Sequence, residues 1–277
     1  MMVLTHSPAR SLRLAAVLAV VFALSASATS FAYRAHIVTD LNHVTTVTTG
    51  TKAQKLYNAL IALKLPSAWP FASYGAISSG GVRLGNVNVE LGAGTSHYAG
   101  NQFVTFQPPS LTGLTAELDA RGIEHGPPTP ISAGSELLYT LVELPTYSQV
   151  NRLTAQFCVY NFPNGRPSRV APPNRAGIVN VSRVVINAKS PSSWAKLFAP
   201  SSPSASDAYR LLGGPLVQLQ RSRENSISAL DVRVKNVAAA VRAFKAVGIP
   251  ARGHIANVGS LRLRLLAVGG SAVTGSR

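Results

Sequence analysis

The two halves of this chain repeat one order of predicted elements, and that repeat limits the folds the chain can adopt. The run Leu118–Ile123 is similar to Phe244–Ile249, which lies 126 positions further on, and Asn42–Val44 is similar to Ser182–Val184, 140 positions further on. Solenoids and propellers repeat every ~20–50 residues, so a longer repeat indicates duplicated domains. The sequence therefore predicts two related domains.

Alternating polar and apolar residues predict strands, and apolar residues spaced three and four apart predict helices. The first half is predicted to contain, in order, a strand at 42–47, a helix at 51–63, strands at 85–91 and 103–106, a helix at 111–121, and strands near 137–144 and 155–160. The second half is predicted to contain a strand at 179–186, a helix at 191–199, strands at 216–220 and 227–234, a helix at 237–247 and a strand at 261–267.

The stretch that follows the first helix is rich in turn residues and is predicted to be a loop. Trp69 lies between Pro66 and Pro70, and Phe71 and Tyr74 follow Pro70. These aromatic residues either form a wall for an apolar ligand or cover the core, and the sequence favours neither.

The charge is divided unevenly between the halves. Residues 33–162 hold seven basic and seven acidic side chains, whereas residues 163–277 hold seventeen basic and three acidic ones. Together with a stretch rich in Pro and turn residues, this shift predicts a first domain at 37–162, a linker at 163–176 and a shortened, basic second domain at 177–270.

Basic residues of the second half alternate with apolar ones along its predicted strands, which predicts a cationic face. Such a face attracts polyanions, and an anionic envelope surface is the expected partner. The alternative is that these residues only keep the domain soluble. No nucleic-acid-binding motif is found in the sequence. The residues assigned to this face are Arg221, Arg223, Arg233, Lys235, Arg262 and Arg264.

The N-terminus has the pattern of a secretory signal peptide. Arg10 and Arg13 precede an apolar run over 14–28, and small residues fit a cleavage site within 26–32. The sequence predicts a signal peptide at 1–32 and an exported protein, periplasmic or extracellular. The alternative, a retained membrane anchor, is disfavoured because the run is shorter than the ~20 residues of a spanning helix.

Several function classes are excluded by composition and motif. With one cysteine in 277 residues, the chain has no internal disulfide framework and no cysteine-rich metal cluster. The sequence contains neither a P-loop nor a Gly-x-Ser-x-Gly nucleophile motif. Cys158 lies in an apolar predicted strand, which favours a buried, inert thiol over a nucleophile.

The run Leu41–Val44, the helix with Leu56 and Tyr57, and the run Gly80–Leu91 resemble the vicinal oxygen chelate superfamily. This superfamily includes glyoxalase I, bleomycin-resistance proteins and extradiol dioxygenases. The resemblance implies an α+β fold of tandem βαβββ units that form two glyoxalase-like modules, each cupped around a pocket. It is fairly specific in the first half and mainly topological in the second.

In enzymes of this superfamily a divalent metal sits in the cup, and the resemblance places His43 and Glu90 at two ligand positions. The other two ligands come from the fifth and eighth strands, here 101–107 and 153–162, which contain no His, Asp or Glu. Cys158 or Val159 stands where a carboxylate is expected, and His97 or His125 is a candidate third ligand from a loop. The resemblance thus implies one divalent ion (Ni, Zn, Mn or Fe), but the incomplete ligand set favours none.

The second module departs further from the metal-binding pattern. Arg183 takes the histidine position, and Gln218 or Gln220 takes the carboxylate position. Because the dioxygenases of this superfamily carry their iron in the second module, an iron dioxygenase is not expected.

These observations predict an exported protein with a small-molecule pocket in the first module. The residues predicted to line it are His43, Trp69, Asn88, Glu90, Gln102 and Tyr160. If the chain is an enzyme, the resemblance implies metal-assisted lyase or isomerase chemistry with Glu90 as ligand or base. The alternatives are a non-catalytic small-molecule-binding protein of the resistance type and an envelope-associated polyanion-binding protein.

Overall fold

The computed structural model describes residues 35–74, 77–95, 99–161, 170–204 and 207–269. The predicted signal peptide, part of the predicted linker, 163–169, and residue 162 lie outside these ranges. Within the described residues, no helix is both long and apolar enough to cross a membrane.

Residues 40–160 form a mixed sheet of eight strands with two helices. The strand order across the sheet is β2-β3-β4-β1-β5-β8-β7-β6, with β1 and β5 antiparallel at its centre. Each half of the sheet is therefore one βαβββ unit. The elements are β1 Asp40–Thr49, α1 Gly50–Ala62, β2 Ser67–Tyr74, β3 Ile77–Arg83, β4 Asn88–Gly94, β5 Gln102–Gln107, α2 Leu114–Ala120, β6 Thr129–Ala133, β7 Glu136–Glu143 and β8 Leu153–Tyr160, with a 3-10 turn at Pro145–Tyr147.

Alternation along the strands decides which face of this sheet packs against the helices. Val44 and Val89, on neighbouring strands, are completely or almost completely buried in the core that contains Ala53 and Leu60 of α1. Since successive side chains of a strand point to opposite faces, His43 and Glu90 lie on the face away from α1. Most predicted strands and helices of the first half are thus found close to where the periodicity places them, but the strand predicted at 85–91 lies at Asn88–Gly94, and β3 and β6 were not predicted.

The prediction of a loop around Trp69 is wrong. Trp69, Phe71 and Tyr74 lie in β2, which pairs with β3 at the edge of the sheet. The prolines indicate a loop because proline cannot donate a hydrogen bond to a sheet, yet edge strands and bulges tolerate it. Pro70 lies between Trp69 and Ala72, where the pairing of β2 with β3 shifts register.

Residues 178–267 form a second mixed sheet of seven strands, in the order β10-β11-β9-β12-β15-β14-β13. Its latter unit is a complete βαβββ unit, whereas the unit before it has two strands after its helix. Among the described residues the strands β10, β13 and β14 are short and were not predicted. The elements are β9 Ile178–Ala188, α3 Pro191–Phe198, β10 Ala208–Arg210, β11 Leu216–Arg221, β12 Ser226–Val234, α4 Val237–Ala246, β13 Ala251–Arg252, β14 Ile255–Val258 and β15 Leu261–Ala267. The fold is α+β with tandem units forming two modules, as expected.

The two sheets share one hydrophobic core. Trp194 of α3 packs edge-on against Tyr147 and Phe106 of the first half, with ring centroids 4.9 and 6.3 Å apart, and Phe198 packs against Phe106 at 5.7 Å. Aromatic pairs at these separations add to the hydrophobic stabilisation. The helix of the second half therefore completes the core of the first.

A fully buried arginine fixes the same junction with hydrogen bonds. Arg121, just after α2, pairs with Glu117 at 2.8 Å and donates to the carbonyl oxygens of Lys196 and Ala199 at 3.1 and 2.8 Å. The last carbonyls of a helix have no partner within it, so a buried helix end needs an outside donor. Arg121 supplies that donor to the end of α3.

Replacing Arg121 is expected to destabilise the fold. The variant Arg121→Met removes the buried guanidinium and leaves the carbonyls at the end of α3 without this donor. We expect its free energy of unfolding to fall by about 3 kcal/mol, because breaking a buried, hydrogen-bonded ion pair typically costs that much. Urea unfolding measures it. Arg242→Met on the exposed side of α4 is the control, expected to change stability by less than about 0.5 kcal/mol. Equal effects in both variants would contradict the role of Arg121.

Candidate ligand cavity

A cavity of about 140 Å³ opens on the face of the first sheet away from α1. Its walls come from seven strands of that sheet and are mostly apolar and aromatic. The rim includes Ile77, whose side chain is 42% exposed. The lining residues are His43, Trp69, Tyr74, Ile77, Ser79, Glu90, Phe103, Leu138, Tyr139, Leu141, Gln156, Cys158 and Tyr160.

Four of the six residues predicted for the pocket meet in this cavity, namely His43, Glu90, Trp69 and Tyr160. The other two lie outside it. Asn88 is completely buried opposite His43 in the pairing of β1 with β4. Gln102 faces the second half instead, where it accepts from the amide of Ile227 at 2.7 Å and donates to the carbonyls of Ile227 and Ser260.

One end of the cavity is polar. His43 Nε2 lies 3.5 Å from Glu90 Oε2, and both residues are more than nine-tenths buried. The hydroxyl of Thr45 donates to the same Glu90 oxygen at 2.6 Å. Burial lowers the pKa of His43 because it disfavours the charged ring, and the nearby Glu90 carboxylate opposes this only in part. The arrangement therefore favours a neutral imidazole beside a carboxylate.

A bulge in β1 holds the far side of the His43 ring. Asn42 is the extra residue where the pairing of β1 with β5 shifts register. Its side-chain oxygen lies 2.8 Å from His43 Nδ1, and its amide nitrogen donates to Gln107 Oε1 at 2.7 Å. Bulges commonly re-aim side chains next to functional sites. Here the bulge lets Asn42 contact both His43 and Gln107.

The aromatic wall opposite β4 depends on a glycine. A Cβ added at Gly81 would lie 2.6 Å from the Trp69 ring, so the ring crosses β3 where a side chain is missing. Trp69 then meets the edge of His43 with centroids 5.8 Å apart and donates weakly to Ser79 at 3.4 Å. Tyr74, one of the residues considered for an aromatic wall, lines the cavity, and Phe71 does not; two further aromatic lining residues, Phe103 and Tyr139, were not predicted. The alternation of β5 and β7 is the sequence signal that places the last two on the cavity face.

The eighth strand places Gln156, Cys158 and Tyr160 on the cavity face, and Val159 on the other. Of the two residues considered for the position of the expected carboxylate, Cys158 is therefore the one that occupies it. Its side chain is buried, and burial raises the pKa of the Cys158 thiol far above its usual range. A neutral thiol is a poor nucleophile and a poor metal ligand.

The residues of the cavity do not fit a catalytic divalent ion. Among the described residues, no group of three or more His, Cys, Asp and Glu side chains could hold a metal. Of the two candidate loop ligands, His125 instead contacts Asp119 at 3.2 Å, and His97 lies outside the described residues. His43 and Glu90 offer two donors, and a catalytic ion usually needs three or more protein ligands.

The second sheet carries an ion-pair cluster at the matching positions. The pairing of β9 with β11 places Gln218, rather than Gln220, at the position of Glu90. Arg183 matches His43, and it lies opposite Asp231 as His43 lies opposite Thr105. Asp231 is 1% exposed and binds Arg183 at 2.6 Å and Arg264 at 2.5 Å. Sequence reasoning missed Asp231, although it is one of three acidic residues in the basic half.

The basic residues assigned to a cationic face have different surroundings. Arg264 was expected on that face, but it is half-buried. It binds the carboxylate of Asp231, which lies opposite it on the neighbouring strand β12. Arg233 is also half-buried and donates to the carbonyl of Ala267. The exposed members are Arg221, Arg223, Lys235 and Arg262.

Metal analysis tests the fit of the cavity directly. We expect the protein, equilibrated with excess Mn²⁺, Ni²⁺ or Zn²⁺ and then desalted, to retain well below one ion per chain, because two donors form a weak site. Elemental analysis of the wild type and of the His43→Ala/Glu90→Ala variant measures it. One ion per chain in the wild type, lost in the variant, would contradict the expectation.

Comparison with known proteins supports the fold and nothing finer. No protein-family model and no curated protein matches the sequence. Among solved structures, the Mn(II)-bound glyoxalase from Novosphingobium aromaticivorans matches with a TM-score of 0.51 and 11% identity, over 83% of this chain and 82% of that one. Homoprotocatechuate 2,3-dioxygenase from Arthrobacter globiformis matches with a TM-score of 0.51 and 10% identity, over 85% and 81%.

A third structure is longer than this chain. It is a xylose isomerase-like TIM barrel/4-hydroxyphenylpyruvate dioxygenase fusion protein, with a TM-score of 0.52 and 10% identity. The match covers 80% of this chain but 41% of the fusion protein. Identities this low bear on architecture alone. Together with the tandem units described above, they show that this chain has the vicinal oxygen chelate fold.

Proposed function

We propose that this chain is a binding protein that holds a small, largely apolar molecule in the cavity of its first module. The observation that carries the proposal is the lining itself, in which five aromatic side chains surround the polar pair His43 and Glu90. Small-molecule sites are typically apolar clefts with a few polar groups that fix orientation. The cavity has that composition.

The size of the cavity limits the ligand to about one ring. An apolar cavity of roughly 150 Å³ is enough to bind benzene, and this one measures about 140 Å³. The partly exposed Ile77 at the rim allows a larger ligand to extend outward. An aromatic or short aliphatic group inside the cavity is therefore the expected anchor.

Binding is favoured over metal-assisted lyase or isomerase chemistry by the donors that surround the cavity. On β5 and β8 the inward side chains are Phe103, Gln156 and Cys158, where a metal enzyme of this fold would carry ligands. Neither a phenyl ring nor a neutral thiol stabilises a metal or a developing negative charge. Phe103 and Cys158 instead extend the apolar wall.

Filling the cavity is expected to abolish binding. Leu141 is a half-buried lining residue, and Leu141→Trp places a bulky ring in the space. We expect indole to bind the wild type and to bind this variant at least about tenfold more weakly, since a filled site excludes a ring-sized ligand. Isothermal titration calorimetry measures both affinities.

The matched control is Leu212→Trp, which adds the same side chain at a position of the second half that is 68% exposed. Its affinity for indole should equal that of the wild type. If none of indole, benzylammonium, benzyl alcohol and benzoate binds the wild type, the proposed function is wrong.

We also propose, as a second function, that this chain is exported and contacts an anionic envelope surface through its basic half. Asp231 is buried between two arginines, and Glu224 lies 3.6 Å from Arg152 of the first half. Two of the three acidic residues of the second half are thus already engaged, while Arg221 and Arg262 are exposed. Surface charge of one sign attracts polyanions at moderate salt.

This second function predicts binding to vesicles of phosphatidylglycerol but not of phosphatidylcholine, weakening as salt rises. The variant Arg221→Gln/Arg223→Gln/Arg262→Gln should bind much more weakly in a vesicle sedimentation assay. A variant with Lys52, Lys55 and Lys64 changed to Gln loses the same charge from exposed positions of the first half. If both variants lose vesicle binding equally, the binding depends on net charge alone, which would contradict a specific surface on the second half.

A further inference from the structure

We infer that the ligand of the first-module cavity carries an ammonium group, which binds between His43 Nε2 and Glu90 Oε2. This inference rests on the proposed binding function and adds the chemical class of the ligand. Three independent features of the cavity support it: its charge, the direction of its hydrogen bonds and its aromatic walls.

The charge of the cavity is unbalanced. Glu90 lines it and is 8% exposed, and its contacts are the Thr45 hydroxyl and the His43 ring. Among the described residues, no lysine or arginine lines the cavity or forms an ion pair with Glu90. Buried carboxylates are normally paired with a cation, because an isolated buried charge is costly. A cationic ligand would supply the missing partner.

The direction of the hydrogen bonds next to His43 is fixed by a backbone carbonyl. The oxygen of Pro108 can only accept, and Gln107 Nε2 donates to it at 3.4 Å. Gln107 therefore presents its side-chain oxygen to the Asn42 amide nitrogen, and Asn42 presents its own oxygen to His43 Nδ1. An oxygen in that place requires a proton on Nδ1.

A neutral His43 with its proton on Nδ1 has a lone pair on Nε2. That lone pair faces Glu90 Oε2 across 3.5 Å, and a carboxylate oxygen is also an acceptor. The amide nitrogen of Gln156, another lining residue, donates to Thr105 at 3.2 Å, which leaves the Gln156 oxygen as a further acceptor. Two acceptors, His43 Nε2 and Glu90 Oε2, therefore face each other at the polar end, while the hydroxyls of Ser79 and Tyr160 that also line the cavity can donate or accept.

An ammonium group fits this end better than a hydroxyl or a carboxylate. It has three donors and no acceptor, so it can bond to the His43 nitrogen and the Glu90 oxygen together. A hydroxyl has one proton and satisfies one of the two. A carboxylate would add a second negative charge beside Glu90 and is repelled.

The aromatic walls add a cation-binding environment. Rings of Trp69, Tyr74, Phe103, Tyr139 and Tyr160 line the cavity. Cations are attracted to the faces of such rings, more strongly where water is excluded. The same rings provide the apolar contact for the rest of the molecule.

Three ring compounds of equal size test the inference with the full chain at pH 7. Benzylammonium, benzyl alcohol and benzoate differ in the charge and donors of one group. We expect calorimetry to show benzylammonium binding at least about tenfold more tightly than benzyl alcohol, and benzoate more weakly than both. The variant Glu90→Gln keeps the shape and removes the charge. It should lose the preference, so that this variant binds benzylammonium and benzyl alcohol with affinities that differ by less than about threefold.

Glu224→Gln, which removes a half-exposed carboxylate of the second half, is the control and should keep the wild-type preference. Equal affinities of the wild type for the amine and the alcohol would overturn the ammonium inference and leave the binding function intact. Tighter binding of benzoate would also overturn it. If Glu90→Gln does not fold, as judged by circular dichroism, the three affinities of the wild type decide the question.

Discussion

The antiparallel strand pair at the centre of each sheet is the contact on which the rest of this structure depends. In the first sheet Val44 lies opposite Val104, in the second Val184 lies opposite Leu230, and all four side chains are completely buried. Each pair joins two βαβββ-type units, so its register sets which residues of the flanking strands share a face. A slip of one residue would turn His43 into the core and Val44 into the cavity.

Bulges next to these central pairs determine the polar chemistry of each cup. In the first sheet the bulge residue is Asn42, which holds the ring of His43. In the second the register shifts at Ser182, directly before Arg183. The sequence similarity of Asn42–Val44 and Ser182–Val184 thus reflects a shared backbone device that carries different side chains.

Periodicity was sufficient to place most strands and helices, because alternation and helical spacing record which face is buried. The family resemblance, not periodicity, placed His43 and Glu90 together, and alternation puts both on the face opposite buried valines. Contacts between distant parts of the chain were beyond the reach of periodicity. Gln102 was assigned to the pocket but bonds to Ile227, 125 positions away, and nothing in the local pattern of β5 distinguishes these two environments.

Trp69 illustrates a second limit of sequence reasoning. Its neighbours Pro66 and Pro70 indicate a loop, yet Pro70 lies within an edge strand of shifted register, and no other strand of the described residues pairs with the outer side of that strand. The Trp69 ring enters the cavity because the residue opposite it on β3 is Gly81, which has no side chain to block the ring. Trp69 could be assigned to the cavity wall only once its place in β2, the pairing of β2 with β3 and the contact with Gly81 were known together.

The two cups show how one fold divides its charges. The second module neutralises its buried carboxylate internally, with Arg183 and Arg264 bound to Asp231. The first module keeps Glu90 in an aromatic cavity beside an imidazole whose pKa is lowered by burial. Even after relaxation, desolvating an ion costs several kcal/mol, so an unpaired carboxylate lowers stability. An arginine in place of His43 would remove that penalty. The second module, which has Arg183 at the matching position, shows that the fold accepts an arginine there. Retaining the penalty in one module and cancelling it in the other is what a binding site in the first module alone would produce, because functional sites are where stability is commonly given up.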